Sequence, residues 1–324
     1  MRLIKLIFVV STIAILILAA KYISSNLDSF KKITEVTFSQ ACVFAILQLA
    51  TFIVNALALS ASLDVFGIKL SFRSAWQLTN INTLLNYLFM KGGMVAKGYF
   101  LKKLHKLSYT DYTVSSGLVM LLNFVVAGIL GIFLLIFSFF KTGILNFYLF
   151  LFFSLLIVSF YALVKLSPKI KEAIKNKRPV PIKKLYIFFN SWVILSGNRR
   201  AVLKLSFLMF LNFFAYALRL KYGFHILYND VPLTSCLVIS ILGVLAAFLA
   251  ITPAALGIRE FAVGAGYSLM HGNMVEAVVV TAVDRAISFI LIFFFGAIAC
   301  YSLIKKSGGF GGKKNKAIPQ NKFV

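Results

Sequence analysis

The chain has 324 residues, of which 60% are hydrophobic and only 13% charged, with a formal net charge of +25. A soluble domain averages about 45–50% apolar and 25% charged, so a mean hydropathy of +0.92 excludes an ordinary globular domain. A charge of this sign would point to nucleic acid in a soluble protein; with the apolar residues gathered in long uncharged runs, it points to basic loops facing anionic headgroups.

Taken in chain order, Leu6 to Ile23 reads as a first membrane span, preceded by Arg2 and Lys5. It lacks a small-residue cleavage site before a polar domain, so the expectation is a retained anchor. Thr37 to Leu63 is the second span, followed by a basic segment carrying Lys69, Arg73, Lys91, Lys97, Lys102, Lys103 and Lys106. Tyr112 to Phe140 and Thr142 to Val164 are the third and fourth spans, joined by a short turn around Lys141. A second basic stretch, 165–200, is expected to be cytoplasmic and to hold an interfacial helix over Leu185 to Gly197 anchored by Trp192. Ala201 to Leu227 is the fifth span, with Arg219 and Lys221 expected at the outer headgroup level. Ala277 to Ile304 is the last span, and residues 307–324 form a basic tail expected to be disordered.

Two regions do not read as plain spans. Ala75 to Met90 is uncharged but rich in Asn and Thr, then breaks at Lys91-Gly92-Gly93. Val231 to Ile258 is apolar but interrupted by Gly243, Pro253 and Gly257. Non-helical backbone at membrane depth survives only where protein or water satisfies it, so both regions are expected to be re-entrant or broken helices. They occupy corresponding places in the two halves, which makes inverted repeats around a midplane site a candidate arrangement. The fold class is therefore an all-α polytopic membrane protein, a single transmembrane domain over 1–306. It has about six full spans plus the two broken regions, or eight helices if these are counted.

The basic loops place both termini in the cytoplasm, in the cytoplasmic (inner) membrane of a multi-pass protein. Cys42, Cys236 and Cys300 are isolated in apolar runs and read as small buried packing residues; they have no metal-type spacing. Neither a cofactor nor nucleic acid is expected, and oligomeric state is left open.

Arg259-Glu260 and Asp284-Arg285 are the conspicuous ionisable residues within the apolar regions, and such residues are functional candidates by default. The guanidinium fork of Arg259 and Arg285 matches phosphate oxygens bidentately. Glu260 and Asp284 would hold those arginines or meet an amine-bearing headgroup, with Lys91, Lys97 and Asn86 near the other break. Gly92, Gly93, Pro253 and Gly257 are the breaks themselves. The bland readings stand beside these: mutually neutralising pairs that fix packing, snorkelling lysines, and Asn80, Asn82 and Asn86 as helix-to-helix hydrogen bonders.

Asn86-Tyr-Leu-Phe-Met-Lys-Gly-Gly-Met-Val-Ala-Lys97, continued by Tyr99-Phe-Leu-Lys-Lys103, resembles the first signature of the lysylphosphatidylglycerol synthase transmembrane region, or flippase-like, family. Pro253-Ala-Ala-Leu-Gly-Ile-Arg-Glu260 resembles its second signature, and Arg285 is similar to an arginine early in the family's last long helix. Met90 stands where proline is usual, Met94 where an acid is usual, Lys97 where arginine is usual and Ala255 where glycine is usual. The resemblance implies a lipid-translocating portion without an aminoacyl-transferase domain, not an enzyme. Its expected partners are membrane phospholipids or a lipid-linked substrate, with an anionic phospholipid or an isoprenoid-linked lipid moved across the membrane through a polar groove. A membrane enzyme acting on lipid phosphates, or a non-catalytic scaffold for lipid or polysaccharide assembly, remain alternatives.

Overall fold

A chain in lipid must satisfy its backbone polar groups internally, and every described element here is helical. The computed structural model describes residue 17 and residues 21–89, 91–175, 198–228, 230–249, 252–271 and 273–307. Most of the expected first span, the interfacial helix with Trp192, Met90 and nearly all of the tail fall outside them.

After a short helical segment at Leu27–Lys31 and a 3-10 turn at Lys32–Glu35, the chain forms α1 (Phe38–Asp64), α2 (Phe72–Leu88), α3 (Gly92–His105) and α4 (Tyr109–Thr142). Then follow α5 (Phe147–Lys175), α6 (Arg199–Leu227), α7 (Leu233–Leu249), α8 (Ile258–His271) and α9 (Met274–Lys306). The long helices begin at side-chain caps that satisfy otherwise orphaned N–H groups. Thr37 and Gln40 form a capping box on α1, while Ser71, Ser108, Asn198 and Asn273 cap α2, α4, α6 and α9. The described residues hold four helices long and apolar enough to cross a membrane, α1, α4, α6 and α9; the described apolar part of α5 is the shorter Phe147–Ala162. Of the six spans expected, one lies mostly outside the description and α5 is a 29-residue helix whose apolar part is short.

The element lengths repeat. The helices α1 to α4 have 27, 17, 14 and 34 residues. Their counterparts α6 to α9 have 29, 17, 14 and 33. Helix α1 runs antiparallel to α6: Phe44 packs at Gly223, and Asn212 donates to Asn55 at 2.7 Å. Helix α2 runs antiparallel to α9, with Gln77 donating to Ser302 at 2.8 Å and Leu84 against Gly296. Helix α7 runs antiparallel to α6, with Lys221 donating to the Val231 carbonyl and Ser240 to that of Phe213. The hairpins α2–α3 and α7–α8 therefore enter from opposite ends of the bundle. The α2 helix packs on the Pro253–Ala255 turn of the second hairpin. The paired breaks expected from the sequence are two opposed helical hairpins that meet inside the bundle.

Close approach is what membrane helices pack with, since lipid offers no hydrophobic gain between them. A Cβ on Gly93 would sit 1.8 Å from the Asn82 carbonyl oxygen, so only glycine lets α3 fold back on α2. The largest buried cluster joins α1, α6, α7 and α9 through Phe44, Phe213, Ile239 and Val280, and a smaller one joins the first hairpin to the end of α9 through Leu78, Leu101 and Leu303. Cys236 is buried as expected, but Cys42 is exposed on α1, because it faces away from α6. Charge divides between the two ends. Lys69, Arg73, Lys102, Lys103, Lys106, Arg199, Arg200, Lys305 and Lys306 lie at the end where α1 and α9 finish, here termed the basic end. Asp28, Glu35, Asp230 and Glu276 lie at the opposite end with Lys32, Lys141 and Lys221.

Candidate functional site

The second break is a strained turn. Ala254, Ala255 and Gly257 have φ of 50°, 53° and 81°, a region costing an L-residue about 1–2 kcal/mol. Four hydrogen bonds hold it. Arg285 Nη2 donates to the carbonyls of Ala254 and Ala255 at 3.1 and 3.3 Å, Thr252 Oγ1 donates to the Leu256 carbonyl at 2.8 Å, and the Gly257 N–H donates to Glu260 Oε2 at 2.8 Å. Arg285 Nε also forms an ion pair with Glu260 Oε1. Arg285 thus supplies the donors that carbonyls outside a helix need at this depth, and its side chain is only 9% exposed.

Beside this pair lies a second one. Asp284, on α9, is 1% exposed and divides its oxygens: Oδ1 faces Arg219 Nε and Oδ2 faces Arg259 Nη2, both at 3.3 Å. Arg259 Nε donates to the Tyr216 hydroxyl at 3.0 Å, and its guanidinium lies 4.1 Å from the centre of the Tyr216 ring. Arg219 lies 5.0 Å from the same ring. Neighbours at i and i+1 on a helix do not face each other, so the sequence-adjacent pairs do not neutralise themselves. They pair crosswise, Arg259 with Asp284 and Glu260 with Arg285.

Arg219 corrects an expectation. It is not at the headgroup level but buried, with 4% side-chain exposure, because the α6–α9 register brings it to Asp284. Its place eight residues before Leu227, the end of α6, and one turn after Tyr216 was the signal in the sequence. Lys221, two residues on, does lie near the end of the helix, 3.7 Å from Asp230. Three arginines against two carboxylates leave the cluster with one uncompensated positive charge. Arg219 Nη1 and Gln48 Oε1 are buried without a hydrogen-bond partner, and the α1–α6 register sets Gln48 level with Arg219. Arg259, at 18%, is the most accessible arginine of the three.

The first hairpin has the same skeleton without the charges. Lys91 takes a left-handed φ of 58° just before α3, as Gly257 does before α8. Asn86 Oδ1 accepts from the Gly93 N–H at 3.0 Å, as Glu260 accepts from Gly257. By position in their helices, Gly93 and Met94 answer to Arg259 and Glu260, and Val119 and Met120 to Asp284 and Arg285. Lys91 is exposed at the tip, and Lys97 is half-buried with Nζ 5.6 Å from the Tyr112 ring. Among the described residues neither lysine forms an ion pair, so the structure gathers Arg259, Glu260, Asp284 and Arg285 and leaves Lys91, Lys97 and Asn86 on the facing hairpin.

Exposed apolar side chains flank the arginines: Phe261 (64%) two residues after Arg259, Phe89 (64%) at the first tip, and Phe289 one turn after Arg285 and packed on Tyr87 at 6.0 Å. Among the described residues no three His, Cys, Asp or Glu side chains converge as a metal site would require.

Comparison with curated proteins finds no match. The sequence profile of the family described as "Lysylphosphatidylglycerol synthase TM region" matches residues 3–296. Two signature breaks opposed across one bundle, and a match over nearly its full length, place this chain in the lysylphosphatidylglycerol synthase transmembrane-region family.

Proposed function

We propose that this membrane protein translocates a lipid with an anionic headgroup, using Arg259 as the primary phosphate contact. A phospholipid's tails are at home in the bilayer; its obstacle is the charged headgroup. The observation that carries the reading is a buried cluster with one surplus positive charge at the meeting point of two opposed hairpins. A surplus charge at this depth is costly and is relieved by an anion. The exposed rings of Phe89, Phe261 and Phe289 leave the surroundings of that charge fit for acyl chains. On this reading the basic end faces the cytoplasm and the protein sits in the inner membrane. Glu260 and Arg285 shape the turn, and Lys91 and Lys97 receive the headgroup on the facing hairpin.

The test is reconstitution in liposomes with a fluorescent phosphatidylglycerol and a membrane-impermeant quencher. Wild type should render the inner-leaflet label accessible, and Arg259→Gln should abolish this while keeping the fold, because it leaves two neutral pairs, Arg219–Asp284 and Arg285–Glu260. Transport by Arg259→Gln at the wild-type rate overturns the assignment.

A further inference from the structure

We infer that Asp284 is a built-in stand-in for the substrate's phosphate: it holds Arg259 while the site is empty, yields it to the arriving headgroup, and is then kept neutral by Arg219. The inference rests on the proposed headgroup site and assigns roles there to Arg219, Asp284 and Tyr216.

Four observations carry it. First, Asp284 is shared rather than owned: each arginine reaches a different oxygen at 3.3 Å, longer than the roughly 2.7–2.9 Å of a committed charge-assisted bond. Second, the two arginines differ in freedom. Arg219 is fixed in the packed interior of α6, whereas Arg259 is partly exposed in the first turn of α8, next to the strained break. Third, Arg219 has donor capacity in reserve: its Nε and Nη1, and Asp284 Oδ1 opposite, are buried without a hydrogen-bond partner, so their ion pair can tighten into hydrogen bonds once Arg259 leaves. Fourth, Arg259 has an anchor that survives the exchange, because Nε is bonded to the Tyr216 hydroxyl and the guanidinium lies on the Tyr216 ring.

The charge count then selects a ligand class. With a singly charged phosphodiester bound, the cluster resolves into three neutral pairs: Arg219–Asp284, Arg285–Glu260 and Arg259–phosphate. A phosphodiester monoanion is therefore the matched ligand. Its binding competes with the internal carboxylate, and a competitor that keeps most of the protein in the incompetent state weakens apparent affinity by the same factor.

The experiment measures binding of dioctanoyl phosphatidylglycerol, a soluble phosphodiester lipid, to the purified full chain. Asp284→Asn should bind about tenfold tighter, the competitor having been removed. The decisive variant is Arg219→Met/Asp284→Asn, which keeps the surplus charge at one and strands no buried ion; it should show the same gain. Arg259→Gln should lose binding. If Asp284→Asn tightens binding but the double variant stays at the wild-type value, the gain is net charge alone and the inference falls. If neither variant gains while Arg259→Gln still loses binding, the inference falls and the headgroup site stands. Unchanged binding in Arg259→Gln overturns the headgroup site itself.

Discussion

Replacing Arg285 by methionine should unfold the second hairpin before it touches lipid binding. Arg285 is the ion partner of Glu260 and the donor to two carbonyls of the strained turn. Its loss leaves Glu260 facing only the Gly257 N–H, with 15% side-chain exposure, and removing one member of a buried pair costs about 3–5 kcal/mol. The Ala254 and Ala255 carbonyls lose a charged donor, worth about 1.5–3 kcal/mol per bond in water, while their left-handed φ values keep their cost. Even the lower figure of about 3 kcal/mol is a large share of a typical total stability of about 5–15 kcal/mol. Arg285→Lys keeps the charge but not the fork and should fall between wild type and Arg285→Met. Arg259→Gln, by contrast, leaves Asp284 paired with Arg219 and should cost about 1 kcal/mol, a typical hydrogen-bond value. Denaturant unfolding in detergent, followed by tryptophan fluorescence, ranks the four proteins. Wild-type stability in Arg285→Met, with binding of phosphatidylglycerol lost, would make Arg285 a substrate contact and not the pin of the turn.

Three further outcomes follow from the geometry. Gly93→Ala puts a Cβ against the Asn82 backbone; overpacking of this kind costs about 1–3 kcal/mol or more, so the variant should lose stability in the same assay, and an unchanged midpoint would show that the first hairpin is not this tight. Lys91→Gly relieves a left-handed residue and should stabilise by about 1 kcal/mol, whereas a lower midpoint would mean that the Lys91 side chain holds the tip. Cysteines placed at 103 and 141 should label from opposite sides of the membrane, with 103 on the cytoplasmic side; labelling of both from one side contradicts the opposed hairpins.

The hairpins were legible because the Gly92-Gly93 doublet and Pro253 with Gly257 break the helical pattern, whereas single glycines such as Gly223 and Gly296 serve helix packing. Arg259, Glu260, Asp284 and Arg285 were legible because ions are rare in such segments. Their pairing was not. Which carboxylate meets which arginine depends on α8 crossing α9, and adjacency in sequence pointed to the wrong partners. Arg219 was misplaced for the same reason: its distance from the end of α6 is measurable in sequence, but its partner Asp284 is set by a register between helices 65 positions apart. The repeat was faint in the residues because its two halves share lengths and turn geometry rather than side chains. Gly93 and Met94 stand where the second half has Arg259 and Glu260.

Mass spectrometry of the lipids that remain bound through purification decides whether Arg259 holds a lipid phosphate. Wild type should retain an anionic phospholipid in near-stoichiometric amount, and Arg259→Gln should lose that lipid while zwitterionic lipids stay equal. The same anionic lipid at the same occupancy in both proteins would mean that Arg259 is not the phosphate contact.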